Sequence, residues 1–289
     1  MNFSDIKTIG VIGSGTMGRG IAISTATAGY NTILYDINDE IISKAKTSID
    51  KDLQKGVEKN KITAEAKEQI LNRINFTADF NSFATADFII EAAPESMDLK
   101  KKIFTDLDNI CRDNVIFSTN TSSLSITTIS TIVKKNPERV IGMHFFNPAN
   151  IMKLVEIVKG DFTSAEAIKA TTELTLAIKK VPVLAKDTPA FIVNRIARPF
   201  YGEALRILSE GTSDVKTIDS VMKSCGGFAM GPFELMDLIG IDVNFSVTKS
   251  VYDAFFNDAK YRPNFIQKKM VDANLLGRKT KKGFYNYEK

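Results

Sequence analysis

One histidine, His144, and no tryptophan occur in the 289 residues. A mechanism that needs two or three imidazoles is therefore excluded, and one that needs a single imidazole must use His144. The residue lies in Gly142-Met143-His144-Phe145-Phe146-Asn147-Pro148, at the end of an apolar run and just before the turn formers Asn147-Pro148-Ala149-Asn150. The next run holds one internal acid, Glu156, among Leu154, Val155, Ile157 and Val158. Closed as a hairpin centred on Asn150, the two runs place residues 144 and 156 equidistant from the turn and facing each other. A carboxylate there would hold the imidazole in one orientation and favour its protonated form, which suits a general base that takes a proton from an alcohol.

A second constellation opens the chain. Gly13-Ser14-Gly15-Thr16-Met17-Gly18 follows a short apolar run and starts a helical segment, and Asp36 closes the next apolar run. Gly13 permits a tight turn, Gly15 lets the backbone approach a pyrophosphate, and Gly18 lets the helix pack on the strand. The helix start at Thr16 and Met17 offers N–H groups and a positive dipole end to phosphates. The spacing predicts a dinucleotide site. A carboxylate at Asp36 accepts hydrogen bonds from ribose hydroxyls, whereas a 2′-phosphate ~4 Å away would be repelled by ~1 to 4 kcal/mol per charge pair. Ile37 and Asn38 supply no offsetting arginine, so NAD is favoured over NADP.

A third feature is a basic ridge, Lys51, Lys55 and Lys59, at spacing four beside an apolar stripe of Ile41, Ala45, Ile49, Leu53 and Val57. By itself such a ridge reads as a solvated helix face.

Composition sets the remaining bounds. Hydrophobic residues make up 44% and charged residues 25%, an ordinary globular mixture. The formal net charge of +4 is too small to argue for nucleic acid, though it helps attract a polyanionic ligand. Two cysteines without a CxxC pair exclude a zinc knuckle and point to a reducing compartment, and no metal site is expected. No run approaches the ~20 apolar residues of a membrane span, and the N-terminal residues do not resemble a signal or transit peptide. A cytoplasmic protein without membrane partners is expected.

These residues need a scaffold, and the periodicity supplies one. Short apolar runs at 7–12, 32–35, 87–91, 115–118, 139–146, 153–158 and 181–185 read as strands. Helical segments separate most of them, among them two over 38–73, one over 97–111 and one over 164–179. The expected class is α/β, a Rossmann-type mostly parallel sheet covered on both faces, over residues 1–186. From 187 to 289 only helices are expected, at about 191–210, 214–224, 232–256 and 262–273. This second, all-helical domain is rich in apolar residues such as Phe200, Leu205, Phe255 and Phe256, consistent with a subunit interface or with an ordinary core.

Several motifs together resemble one family. The glycine loop, Asn120-Thr121-Ser122-Ser123-Leu124, His144-Phe145-Phe146-Asn147-Pro148, Met152-Lys153-Leu154-Val155-Glu156 and Gly231-Pro232-Phe233-Glu234-Leu235-Met236-Asp237 stand in the order found in 3-hydroxyacyl-CoA dehydrogenases. The likeness runs to Gly283-Phe284-Tyr285, and the compact length resembles the stand-alone bacterial 3-hydroxybutyryl-CoA dehydrogenases. The resemblance implies His144 as base and Glu156 as its orienting partner, with Ser122 contacting the substrate oxygen and Asn194 reaching the reacting centre from the helical domain. It further implies that Glu95, Lys100, Asn147 and Lys279 line the NAD site, and that Lys59, with Lys55 on the same ridge, meets the phosphates of coenzyme A. The implied reaction is reversible hydride transfer between NAD and an (S)-3-hydroxyacyl-CoA, by a homodimer. Two positions depart from the family pattern: Ala190 stands where glycine is usual, and Asp52 where some members have a CoA-contacting serine. Open alternatives are a dehydrogenase of a free hydroxy acid of the gulonate type and a non-catalytic crystallin-like relative.

Overall fold

A computed structural model describes residues 3–288. The chain divides into two compact units, one ending at Thr188 and the other beginning at Pro189.

The first unit is built from strands β1 (Thr8–Ile12), β2 (Asn31–Tyr35), β3 (Ile74–Thr77), β4 (Phe88–Glu91), β5 (Ile116–Thr119), β6 (Val140–Phe145), β7 (Leu154–Lys159) and β8 (Val181–Lys186). Its helices are α1 (Thr16–Thr27), α2 (Asp39–Glu58), α3 (Ala64–Asn72), α4 (Met97–Ile110), α5 (Ile126–Ser130) and α6 (Ala165–Ala177). The strands form one sheet in the order β3-β2-β1-β4-β5-β6-β7-β8. Every neighbouring pair is parallel except β6 and β7. The α/β expectation and the mostly parallel sheet hold.

Strand alternation assigns each side chain to a face. Ile9, Val11, Phe88, Ile90, Ile141, Met143, Phe145, Val155 and Ile157 share one buried core with Ile21 and Ala22 of α1, Ala45 and Ile49 of α2, and Ala167 and Leu174 of α6. On the opposite face Phe117 meets Phe104 of α4 edge to face, with ring centroids 6.2 Å apart. Period two therefore puts Glu91, Thr119, His144 and Glu156 on the α4 face, near the carboxyl ends of the parallel strands. Ligands of open α/β sheets bind at that edge.

Three local expectations are corrected. The edge strand β3 was not expected: four residues following a helix carry too little alternation to register. The buried stripe of α2 begins at Ile42 rather than Ile41, because a 3.6-residue turn drifts away from strict spacing of four. In the second unit, the expected helix over 232–256 is two helices broken at Gly240, whose φ of +100° suits glycine.

That unit comprises α7 (Val193–Ser209), α8 (Val215–Ser224), α9 (Pro232–Ile239), α10 (Ile241–Ala254) and α11 (Phe265–Asp272). Tyr201, Leu205, Ile218, Phe233, Met236, Ile241 and Met270 form its core. Phe256 does not join it and is 94% exposed. Two buried carboxylates staple the unit. Asp219 accepts hydrogen bonds from the N–H groups of Phe233 and Glu234 (both 2.9 Å), capping the start of α9, and from the Tyr285 hydroxyl (2.8 Å). Asp237 accepts from the N–H groups of Phe284 (3.0 Å) and Tyr285 (2.9 Å) and from the Tyr287 hydroxyl (3.1 Å). A Cβ on Gly231 would lie 2.3 Å from Asp219, and one on Gly283 would lie 2.2 Å from Asp237. The Gly-Pro-Phe-Glu-Leu-Met-Asp and Gly-Phe-Tyr motifs are thus the two sides of a structural clamp.

Among the described residues no helix is long and apolar enough to cross a membrane.

Asp237→Asn would turn an amide N–H toward the backbone N–H of Phe284 or of Tyr285, groups that can only donate. It is expected to lower stability by about 1 to 3 kcal/mol, read as a reduced midpoint in urea unfolding with an unchanged slope.

Candidate active site

His144 is the fifth residue of β6, and Glu156 is its direct partner across the antiparallel pairing. The His144 Nδ1 and Glu156 Oε2 are 2.7 Å apart, and the two residues are 6% and 0% exposed. Against an ionised carboxylate, which only accepts, this contact puts the proton on Nδ1 and makes Nε2 the accepting nitrogen of the ring. The Phe146 ring lies 4.7 Å from the imidazole, centroid to centroid, walling one side. The backbone N–H of Phe145 donates to Asn120 Oδ1 at 2.8 Å, which ties the strand end bearing His144 to the loop that carries Ser122.

Ser122 is half-buried in that loop, and Glu95 gathers the loop's donors. Glu95 Oε1 accepts from the Thr121 hydroxyl (2.6 Å), the Ser122 and Ser123 N–H groups (3.0 and 3.1 Å) and the Ser123 hydroxyl (2.9 Å). Burial pushes the Glu95 carboxyl up, but the Thr121 hydroxyl, the Lys100 ammonium, the Ser123 hydroxyl and the Ser122 N–H together hold it below the usual carboxylate range. Lys100 is buried, at 1% exposure, and its ammonium bonds both oxygens of Glu91 at 2.8 and 2.7 Å. Glu91 plays no part in the sequence reading. An acid closing an otherwise apolar run was the available signal, the same one that Asp36 gives at the end of its run.

The glycine turn fits a dinucleotide on three observations. Gly13 has φ +92°, and a Cβ there would lie 2.7 Å from the Ala92 carbonyl oxygen. A Cβ on Gly18 would lie 1.7 Å from the Gly13 carbonyl oxygen, so α1 can begin so close to β1 only with glycine there. A Cβ on Gly15 would meet nothing within 4 Å, which leaves open space over the N-terminus of α1, where Thr16 and Met17 begin the helix. Asp36 stands beside the turn. Its Oδ2 accepts from the Ser14 N–H (2.7 Å) and hydroxyl (2.8 Å), and its Oδ1 accepts from the Ile37 N–H (2.8 Å). Oδ1 keeps acceptor capacity for a ribose hydroxyl.

The remaining expected residues are more scattered. Asn147 is exposed in the β6–β7 turn. The ammonium of Lys180 donates to the carbonyls of Ala149 and Met152 at 2.7 and 2.8 Å and holds that turn in shape. Lys55 and Lys59 are exposed on and just after α2. Lys55 pairs with Asp52 at 3.1 Å, so the acid that departs from the family pattern partly neutralises the ridge. Asn194 and Lys279 belong to the second unit. Asn194 is half-buried in the first turn of α7, and Lys279 donates to Asp242 at 2.5 Å. Just before α7, Ala190 has φ +66°, the left-handed region glycine would enter freely, so alanine here keeps the turn at a cost of ~1 kcal/mol.

The fold of the first unit and its glycine turn define a dinucleotide-binding domain. Comparison with known proteins narrows the class. Residues 8–188 match the family model "3-hydroxyacyl-CoA dehydrogenase, NAD binding domain", and residues 191–287 match the model "3-hydroxyacyl-CoA dehydrogenase, C-terminal domain". The chain belongs to the 3-hydroxyacyl-CoA dehydrogenase family. It is 46% identical to a 3-hydroxyadipyl-CoA dehydrogenase of Escherichia coli over 98% of its length, and spans 59% of that protein. A 3-hydroxybutyryl-CoA dehydrogenase of Clostridioides difficile is 43% identical, with 97% of this chain and 99% of that one covered. Among solved structures, an (S)-3-hydroxybutyryl-CoA dehydrogenase from Ralstonia eutropha superposes with a TM-score of 0.93 at 40% identity, covering 99% of this chain and 100% of that one.

Gly15→Ala is expected to leave unfolding stability within about 0.5 kcal/mol while weakening NADH binding at least tenfold in a fluorescence titration. Gly18→Ala, forced against the Gly13 carbonyl, is expected to lose ~1 to 3 kcal/mol of stability in the same buffer.

Proposed function

We propose that the chain catalyses reversible NAD-dependent interconversion of (S)-3-hydroxyacyl-CoA and 3-ketoacyl-CoA, with 3-hydroxybutyryl-CoA as the preferred substrate. The observation that carries this reading is the buried 2.7 Å contact between His144 Nδ1 and Glu156, which makes a single oriented imidazole base at the ligand-binding edge of the sheet. NAD held at the glycine turn and Asp36 would supply the hydride acceptor for the alcohol carbon. The residues of the chain do the rest. His144 Nε2 takes the hydroxyl proton, and Glu156 stabilises the imidazolium that results. Ser122 and Asn194 hold the substrate oxygen and thioester. Gly13, Gly15, Gly18, Thr16, Met17 and Asp36 seat the adenosine and pyrophosphate, Glu95, Asn147 and Lys279 line the nicotinamide half, and Lys100, 1% exposed, serves that half from behind Glu95. Lys59 and Lys55 draw the phosphates of coenzyme A to α2.

A second substrate reading is supported by one comparison, the 46% identity to a 3-hydroxyadipyl-CoA dehydrogenase, whose named substrate carries a distal carboxylate. Rates with acetoacetyl-CoA and 3-oxoadipyl-CoA at equal concentration separate the two, and free hydroxy acids in parallel test the gulonate-type alternative. The exposed apolar side chains of the second unit, Ile196 at 69%, Phe256 at 94% and Phe265 at 70%, support a homodimer formed through that unit. Light scattering after gel filtration checks this.

His144→Gln is expected to lose ~10² to 10⁴ in kcat, followed as NADH oxidation with acetoacetyl-CoA, and undiminished turnover would defeat the assignment. Lys59→Glu is expected to raise KM for the CoA ester severalfold with kcat nearly unchanged, and more so at low ionic strength.

A further inference from the structure

A buried ion pair within the first unit is unexplained by the reaction. Glu91 ends β4 with 0% exposure, and its carboxylate is saturated. It accepts from Lys100 Nζ through both oxygens (2.8 and 2.7 Å), from the Thr119 hydroxyl (2.6 Å) and from the Ala93 N–H (2.7 Å). Stability alone does not account for such a pair. Desolvating two charges costs about as much as their attraction returns, and apolar residues of similar volume often do as well or better.

The surroundings point to another use. Lys100 Nζ also lies 3.6 Å from Glu95 Oε2. The loop donors, by contrast, converge on the other oxygen of Glu95: the Thr121 hydroxyl, the N–H groups of Ser122 and Ser123, the Ser123 hydroxyl and, at 3.5 Å, the Ser122 hydroxyl. One oxygen of Glu95 is therefore turned to the ammonium and the other collects the loop. Four segments are tied in series: the end of β4 by Glu91, α4 by Lys100, the β4–α4 loop by Glu95, and the loop after β5 by Thr121, Ser122 and Ser123. Thr119 closes the circuit by joining the end of β5 back to Glu91.

We propose that Glu91 is a positioning residue: by holding the Lys100 ammonium beneath Glu95, it fixes the carboxylate that sets the place of Ser122. The inference rests on the reading of Ser122 given above for its link to the substrate oxygen. Its mechanical part, that the pair governs Glu95, does not. Lys100 has three donors in a buried site, and without Glu91 only the longer 3.6 Å contact with Glu95 is left to orient them. Without the ammonium, one of the influences that hold the Glu95 carboxyl low is lost, and its Oε2 has no cation to orient it beneath the loop donors.

The test uses the full chain with both charges removed together, Glu91→Gln/Lys100→Met, so that no orphan charge is left inside. Two readouts are taken. In the first, without substrate, carbon-detected NMR follows the Glu95 carboxyl through a pH titration; its midpoint is expected to move to higher pH than in the unaltered protein. In the second, kcat/KM for acetoacetyl-CoA reduction is expected to fall about tenfold, mainly in kcat. The same replacement made in a Ser122→Ala background is expected to cost less than twofold more, because the effect passes through Ser122. A midpoint that stays put overturns the proposal, as does a full tenfold loss in the Ser122→Ala background, which would mark Lys100 as acting on the cofactor directly. A chain without activity toward acyl-CoA esters would instead overturn the functional reading, and the titration would still decide the link to Glu95. If the double variant is too unstable to assay, Glu91→Asp, which keeps both charges but withdraws the anchor by one methylene, is read in the same way with smaller shifts of the same sign.

Discussion

The antiparallel pairing of β6 with β7 is the constraint on which the site depends. All other pairings in the sheet are parallel and carry their crossovers on helices, whereas this one is closed by a short turn. A slip of one residue would turn Glu156 to the opposite face and leave His144 with no acid across from it. The register is held from both sides. Met143, Phe145, Val155 and Ile157 are locked into the main core on one face, and Lys180 grips the turn through two carbonyls. Burial of the imidazole and the acid raises the penalty for error, since a carboxylate at 0% exposure without its partner would be an uncompensated charge.

Much of this was legible in the sequence because it follows from counting. Residues 144 and 156 are symmetric about Asn150, and a hairpin makes that arithmetic into contact. The glycine turn was legible for a similar reason, since each of its glycines answers a separate steric demand. The network under Ser122 was not legible. Glu91 and Lys100 are nine positions apart, on a strand and a helix, and no periodicity links them; only the stacking of α4 on the sheet brings them together. The break at Gly240 escaped because apolar positions run through it on both sides, and only the positive φ of the glycine interrupts the helix. For Phe256 the sequence left interface and core both open, because apolar character alone does not say which face of a helix end is covered; the side chain is exposed.

The second unit shows the opposite economy. Its most distinctive motifs look chemical, with acids and tyrosines at fixed spacing, yet the structure uses them to join helix ends to a C-terminal segment. Asp219 serves α9 as a cap that Gly231 cannot provide, and Asp237 anchors Phe284 and Tyr285. Burial is the larger influence on Asp237 and raises its carboxyl above the usual range, even though three donors oppose it. Signature residues of a family thus divide into those that meet ligand and those that maintain shape, and spacing does not separate the two.

The Ser14–Asp36 contact has a consequence for how a dinucleotide is chosen. Because the Ser14 N–H and hydroxyl already saturate Oδ2, Asp36 is aimed before any ligand arrives, and the ordering entropy of its side chain has been spent in folding. An incoming ribose largely exchanges a water on Oδ1 for its own hydroxyl, a trade that yields little net affinity. What the acid contributes is refusal: a fixed negative charge that cannot swing aside to admit a 2′-phosphate. At this end of the molecule, cofactor choice is made by exclusion, and the tightness of binding must come from elsewhere in the cleft of the sheet.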